Sequence, residues 1–253
     1  MSEIRSTTPE RAAERVVERT ALITGASRGL GLALARGLAA RGWNLILTAR
    51  DAERLRTVRD ELARVTHVAA LAGDVIEPAH REALAVLARG HAGLDALVNN
   101  AGFLGPSPQP LLLEYPLDSL VEVYLANVLA PLALIQTLRR ELKPGARVVN
   151  VTSDAAVTAY RGWGGYGSSK AALEQLSSVL AVEDPTLTVY WVDPGDMRTD
   201  MQQAAYPGED ISDRPLPEEK VPGFVSLLEG DLPSGRYVAS ELIGRAGASR
   251  EAA

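Results

Sequence analysis

Tyr166 and Lys170 stand four residues apart at the head of an apolar stretch, in the run Gly165-Tyr166-Gly167-Ser168-Ser169-Lys170-Ala171-Ala172. On a helix that spacing puts both side chains on one face. A free phenol has a pKa of about 10, and an ammonium beside it favours the phenolate, so the pair suits proton transfer near neutral pH. Ser153, 13 residues before Tyr166, brings a hydroxyl that can polarise the same carbonyl oxygen. Taken singly these signals are open to plainer readings: Tyr-x-x-x-Lys occurs in many helices by chance, and a serine after a strand is equally a turn former or a helix cap.

A second group suits phosphate rather than protons. Thr24-Gly25-Ala26-Ser27-Arg28-Gly29-Leu30-Gly31 sets three glycines at the spacing GxxxGxG between a strand and a helix. Glycine lets the backbone approach a pyrophosphate, and the helix that follows presents free N–H groups and its positive dipole end. The same glycines would also close an ordinary tight turn; their place directly after the first strand favours a dinucleotide held by the segment from Gly25 through Ser27, Arg28, Gly29 and Leu30 to Gly31. The second strand ends Leu45-Ile46-Leu47-Thr48-Ala49-Arg50 and lacks the acidic residue that would bind a free ribose 2′-hydroxyl. Arg50 stands there instead, and with Arg28 it can make charge-assisted bonds to a 2′-phosphate. The expected cofactor is therefore NADP(H), the alternative being two solvated surface arginines.

The elements that must position these groups follow from the apolar pattern. Residues 20–24, 44–48, 67–71, 94–98, 147–151 and 187–192 are short apolar runs, and stretches such as 30–41 and 51–64 between them carry helical spacing, the latter with Asp51 as its cap. Alternation of this kind predicts an α/β fold: a single Rossmann-type, doubly wound parallel sheet flanked by helices on both faces. Residues 1–19, charged and containing Pro9, are expected to be a flexible N-terminal arm, and 20–253 one domain with a substrate loop at about 196–222, where Pro207, Gly208, Pro215, Pro217 and Pro222 interrupt regular structure. The stretch 120–138 is broken by Glu122, Asn127 and Pro131 and is expected to be a buried helix rather than a membrane span.

Composition excludes several classes. Among 253 residues the net charge is −6 and there is no cysteine, so thiol chemistry and disulfides are absent and no basic block invites nucleic acid. His67, His80 and His91 are scattered, without the spacing of metal ligands, and are expected at the surface or at strand ends; no metal is expected. The opening residues lack the apolar core of a secretory signal, which leaves a cytoplasmic location as the expectation, with neither membrane nor nucleic acid as partner.

With these residues assembled, the sequence resembles the short-chain dehydrogenase/reductase family over residues 20–237. Gly25, Gly29 and Gly31 match its cofactor loop, Asp74-Val75 the dipeptide that contacts adenine, and Asn99-Asn100-Ala101-Gly102 the segment that steadies the sheet and lines the cofactor cleft. Asn127, Ser153, Tyr166 and Lys170 match its catalytic tetrad; Pro194-Gly195 and Thr199 match its nicotinamide-side loop. The resemblance implies an NAD(P)-dependent oxidoreductase acting on a small carbonyl compound or alcohol. Tyr166 would be the acid/base, Ser153 would bind the oxygen, Lys170 would tune Tyr166 and hold the nicotinamide ribose, and Asn127 would hold a water that links Lys170 to solvent. It also implies a homodimer or homotetramer paired through helices at 117–142 and 166–183. The connection 182–188 is shorter than in most members and the region after Thr199 is compact and proline-broken, with Trp163, Met197, Met201 and Tyr206 as candidate pocket walls. A rival from another class is a sensor that binds NADP(H) without catalysis, which would need neither Ser153 nor Tyr166.

Overall fold

Apolar residues on both faces of each short run require a sheet covered on both sides. The computed structural model, which describes residues 18–243, has this arrangement. Its strands are β1 (Thr20–Thr24), β2 (Asn44–Ala49), β3 (Val68–Ala72), β4 (Leu94–Asn99), β5 (Leu142–Val151), β6 (Thr188–Asp193) and β7 (Gly235–Val238). All pair in parallel in the order β3-β2-β1-β4-β5-β6-β7. Ala21, Ile23, Leu45, Leu47, Val149, Val151, Tyr190 and Val192 turn to one face, Leu22, Ile46, Leu97, Val148 and Val189 to the other. Helices α1 (Gly29–Ala39), α2 (Ala52–Leu62) and α8 (Val221–Glu229) seal the first face with Leu34, Leu38, Leu55, Val58, Phe224 and Leu228. The second is covered by α3 (Pro78–Gly90), α5 (Ala130–Leu138) and α6 (Gly164–Glu183), while α4 (Leu117–Tyr124) leads into α5 and α7 (Asp200–Ala205) interrupts the loop after β6.

Two helix starts differ in a way that matters. Asp51 caps α2, accepting the Arg54 N–H at 3.0 Å, as its type and place predict. At α1 the cap position is Arg28, whose side chain accepts nothing, so the first N–H groups of that helix have no side-chain cap. The order of strands reverses between β1 and β4, and the crevice beyond their carboxyl ends is where doubly wound folds bind ligands.

Several details depart from the sequence reading. The strand expected at 147–151 starts at Leu142 and passes through Pro144 and Gly145, with a register irregularity opposite β4. The helix expected over 120–138 starts at Leu117 and widens into a π turn at Leu125–Leu129. Pro131 has no N–H to send to the carbonyl of Asn127, which removes one α-type bond at this point. By length and apolarity Leu117–Leu138 could cross a bilayer, with mean hydropathy 1.5; here Leu134, Ile135 and Leu138 lie in the second core. His80 is buried, 9% exposed, with Nε2 2.7 Å from the Thr48 hydroxyl and its ring filling the space left by Gly73. The surface expectation for it fails because α3 turns it under β2 and β3. His67 and His91 lie edge to face, centroids 6.2 Å apart. Of the expected arm, only Glu18 and Arg19 are among the described residues; Arg19 pairs with Glu229 at 2.9 Å and stacks on Trp43.

A polar thread crosses the sheet beside the site. Asn99 Nδ2 donates to Asn150 Oδ1 at 2.8 Å, Asn150 Nδ2 to Ser177 Oγ at 2.8 Å, and Ser177 to the Leu173 carbonyl at 2.7 Å. All three side chains are almost wholly buried.

Candidate active site

The turn after β1 is built on close backbone approach. Gly25 has φ +66°, which favours glycine, and a Cβ there would crowd Asn100 Nδ2 and the Ala101 backbone. A Cβ on Gly31 would overlap the Gly25 carbonyl oxygen. The end of β4 locks onto this turn. Asn100 Nδ2 donates to the Thr24 carbonyl at 2.9 Å, while the Asn100 and Ala101 N–H groups donate to Thr24 Oγ1 at 3.0 and 2.9 Å. The outcome is a concave rim of backbone beside the uncapped start of α1, which fits a pyrophosphate. Thr199, which caps α7 by accepting the Gln202 N–H at 3.2 Å, packs its methyl group against Gly29. Asp193 Oδ1 accepts the Gly195 N–H at 2.8 Å and fixes the Pro194-Gly195 turn, where Gly195 has φ +68°.

The charges at the outer end of this rim are arranged as a ring. Arg28 Nη1 lies 2.7 Å from Asp200 Oδ2, and Arg50 Nη1 lies 3.8 Å from Asp74 Oδ2. Both arginine side chains are well over half exposed. Arg54, which the sequence reading passed over, lies 3.3 Å from Asp51 and 4.0 Å from Asp200, making a third guanidinium in the same place. Its signal was available, since one turn into α2 a side chain points back over the helix start. Asp74 Oδ1 also accepts the Ile76 N–H, and the Val75 carbonyl accepts from Arg81 Nη1 at 2.8 Å, so this dipeptide is held in a fixed bend.

Tyr166 and Lys170 fall one turn apart on the inner face of α6, both buried, with Lys170 Nζ 5.5 Å from the Tyr166 ring centroid. Lys170 Nζ donates to the Val151 carbonyl at 2.8 Å, which ties α6 to the end of β5. Burial pushes the lysine down to about 8. The expected lowering of the phenol does not occur: burial pushes the Tyr166 hydroxyl up, and Asp193 and Asp154 push the same way. Burial outweighs the ammonium, which sits over the ring rather than at the hydroxyl, and the negative charges of Asp193 and Asp154 add to it. The Tyr166 hydroxyl makes no hydrogen bond among the described residues, and a reacting oxygen is free to take that place.

Ser153 ends the β5 turn half-buried; its hydroxyl donates to Asp154 Oδ1 at 2.9 Å and accepts the Ala155 N–H at 3.2 Å. Asn127, fully buried in the π turn, accepts the Phe103 N–H at 2.8 Å and donates to the Phe103 carbonyl at 2.9 Å and to Ser169 Oγ at 3.0 Å. Its amide is thereby committed to bracing the Gly102-Phe103 loop after β4 against α6. Across Gly102, Asn127 Oδ1 and Lys170 Nζ face the same small space. Of the candidate pocket walls, Trp163 and Tyr206 stand with ring centroids 6.0 Å apart, and Met201 approaches Gly102. Met197 instead packs on the first core.

Residues far apart in sequence complete the site. Arg236 on β7 holds Glu174 of α6 at 3.0 Å, Asp193 of β6 at 3.4 Å and the Ser153 carbonyl at 3.3 Å, while Glu174 also accepts the Thr152 hydroxyl at 2.8 Å. Asp154 and Tyr160, 2.8 Å apart, line the mouth. No local signal marks Arg236 or Glu174, whose roles exist only once β6 and β7 pair.

A glycine turn at the switch point, with a buried Tyr/Lys pair across the cleft, defines a nicotinamide-dependent oxidoreductase of small molecules, and comparison with known proteins agrees. Residues 19–210 match the model of the short chain dehydrogenase family. The chain belongs to that family. It is 37% identical over 186 residues to a serine 3-dehydrogenase of Agrobacterium fabrum, covering 72% of this chain and 73% of the relative. It is 36% identical over 201 residues to a sepiapterin reductase of Meriones unguiculatus, covering 73% and 76% respectively. Among solved structures, a short chain dehydrogenase from Shigella flexneri complexed with NADP superposes with a TM-score of 0.82 at 29% identity, over 88% of this chain and 97% of that one.

Proposed function

We propose that this chain is an NADP(H)-dependent carbonyl reductase or alcohol dehydrogenase with Tyr166 as its acid/base. The observation that carries the reading is Tyr166, a buried residue one turn from Lys170 on α6 whose accessible hydroxyl has no protein partner among the described residues. The cofactor would supply hydride to a carbonyl carbon, or accept it from a carbinol. Arg28, Arg50 and Arg54 would hold the 2′-phosphate, and the rim from Gly25 through Ser27 and Leu30 to Gly31 the pyrophosphate. Asp74 and Val75 would line the adenine site; Asn100, Ala101, Gly102, Pro194, Gly195 and Thr199 would line the nicotinamide side. Solved complexes with NADP and with NADPH, such as one from Escherichia coli at TM-score 0.79, support the choice of cofactor.

In the reducing direction Ser153 Oγ turns its single proton from Asp154 Oδ1 to the carbonyl oxygen, and Tyr166 Oη gives that oxygen its proton as the carbon is reduced. A phenol held protonated by burial starts as the donor this step needs. The ammonium of Lys170 would stabilise the phenolate left behind and hydrogen-bond the cofactor's ribose, and the segment held by Asn127 would return the proton through a bound water. Oxidation of an alcohol runs the same steps in reverse.

The test is NADPH and NADH oxidation against a panel of ketones, aldehydes and quinones, repeated with Arg50→Asp. NADPH should support at least about tenfold higher kcat/KM than NADH, and the variant should lose that preference. Equal use of the two by the parent defeats the cofactor assignment; tight NADPH binding with no turnover anywhere favours the sensor. Leu117, Val121, Val179 and Val182 leave exposed apolar surface on the helices at 117–138 and α6, which supports pairing into a homodimer or homotetramer. A monomer by light scattering would remove that part of the reading.

A further inference from the structure

Asp154 is in an unusual position for a carboxylate. It follows Ser153 directly, it is exposed at the mouth of the cleft, and among the described residues it makes no ion pair. Its two oxygens are each engaged once, Oδ1 by the Ser153 hydroxyl at 2.9 Å and Oδ2 by the Tyr160 hydroxyl at 2.8 Å. A carboxylate has about four acceptor sites, so each oxygen keeps room for a donor from a ligand.

Around it the wall is aromatic. Trp163 lies at the centre, with ring centroids 6.5 Å from Tyr160, 5.8 Å from Tyr166 and 6.0 Å from Tyr206, each pair inclined rather than stacked. Trp163, Ala204 and Ala205 all pack against the cluster of Leu104, Ala155 and Tyr166, which joins this wall to the residue of the reacting hydroxyl. The nearby charges do not neutralise Asp154. Asp196 is 3.4 Å from Arg214, which Asp213 shares at 3.0 Å, and Asp193 is occupied by Arg236. Asp154 and Asp196 act together on the hydroxyls of Tyr160 and Tyr206, opposed at Tyr206 by Arg214, and Asp154 acts also on Tyr166, so the negative charge is greatest at the Tyr160 and Tyr166 end of the wall.

We infer that the pocket selects substrates bearing a protonated amine on the carbon next to the reacting carbonyl or carbinol carbon, with the ammonium held by Asp154 against the rings of Tyr160 and Trp163. The spacing sets the position of the amine. A substrate oxygen bonded to Ser153 Oγ is one side chain away from Asp154, so only a substituent on an adjacent carbon reaches both groups. An ammonium near ring faces gains from their quadrupoles as well as from the carboxylate, and an anionic substituent there meets like charge. The inference rests on the assignment of Ser153 and Tyr166 as the reacting pair.

The experiment uses aminoacetone, its neutral isostere butan-2-one and the anionic acetoacetate as ketones with the full chain and NADPH, for the parent and Asp154→Asn. The variant removes charge and keeps an acceptor for Ser153. The parent should show kcat/KM at least about tenfold higher for aminoacetone than for butan-2-one, with acetoacetate lowest, and Asp154→Asn should bring the first ratio below about threefold. No preference in the parent, a ratio unchanged in the variant, or loss of both ketones by one common factor overturns the inference, the last outcome leaving Asp154 only to orient Ser153. Binding is read separately by fluorescence titration with n-butylammonium and n-butanol, Trp163→Phe identifying the responding ring. If neither these ketones nor any member of the wider panel is reduced, the catalytic assignment fails. In that case a Trp163 response to the cation alone, lost in Asp154→Asn, upholds the charge selection, and no response overturns it too.

Discussion

The two sides of the cleft are built from opposite materials. The cofactor side, from Gly25 to Gly31 and at Asn100-Ala101, is backbone and small side chains, and its polar groups are paired across β1 and β4 through Thr24 and Asn100. The facing wall, with Asp154, Tyr160, Trp163 and Tyr206, is made of large side chains on turns and a short helix, several of them exposed. The contrast teaches where one enzyme differs from its relatives: a rim shaped by the main chain binds what is common to all, while a wall of side chains can change without disturbing the sheet beneath it.

The sharpest way to break this picture is Tyr166→Phe, which deletes one oxygen from between the two sides. Turnover should fall by about 10²–10⁴-fold while NADPH affinity, measured by fluorescence titration, stays near that of the parent. A variant with near-parental rate would take Tyr166 out of the chemistry. Next comes the rim itself. Gly31→Ala forces a methyl group into the Gly25 carbonyl, so NADPH affinity should drop by about tenfold or more, together with a loss of about 1–3 kcal/mol in stability by urea titration. Parental affinity there would mean that the backbone contact is not what shapes the cofactor side.

The smallest effect concerns charge on Lys170. Its pKa lies near 8, below its ordinary value, so the ammonium is present below that pH and lost as pH rises through it, whereas the Tyr166 phenol, pushed up, keeps its proton. Reduction, which uses both protons, should therefore decline above pH 8, by about tenfold at pH 9 relative to its plateau. Lys170→Arg should move that decline out of the accessible range, and a profile flat to pH 10 in the parent would contradict the buried placement.

What could be read from the chain follows the same division. Tyr166, Lys170 and the glycine turn announce themselves because helical spacing and the need for a missing side chain are local properties. The covering of both faces was visible for the same reason, in runs such as Ala21 to Ile23 that are apolar at every position. The direction of the Tyr166 shift was not legible, since it depends on burial and on Asp193, which reaches the site only through the pairing of β5 with β6. Nor were the grip of Arg236 on Glu174, 62 residues away, or the inward turn of His80, because each depends on neighbours brought by the tertiary fold. Met197, expected at the pocket, packs partly buried against the outside of the first core for the same reason.

The thread from Asn99 through Asn150 to Ser177 works as a proofreader of strand alignment. Were β4 and β5 to slip by one residue, two amides would be left dry and without partners, each at a cost of about 1–3 kcal/mol, and every apolar side chain of the slipped strand would change face. Since Asn100 and Ser153 lie just beyond the paired asparagines, the check is made where a misalignment would separate the two sides of the cleft.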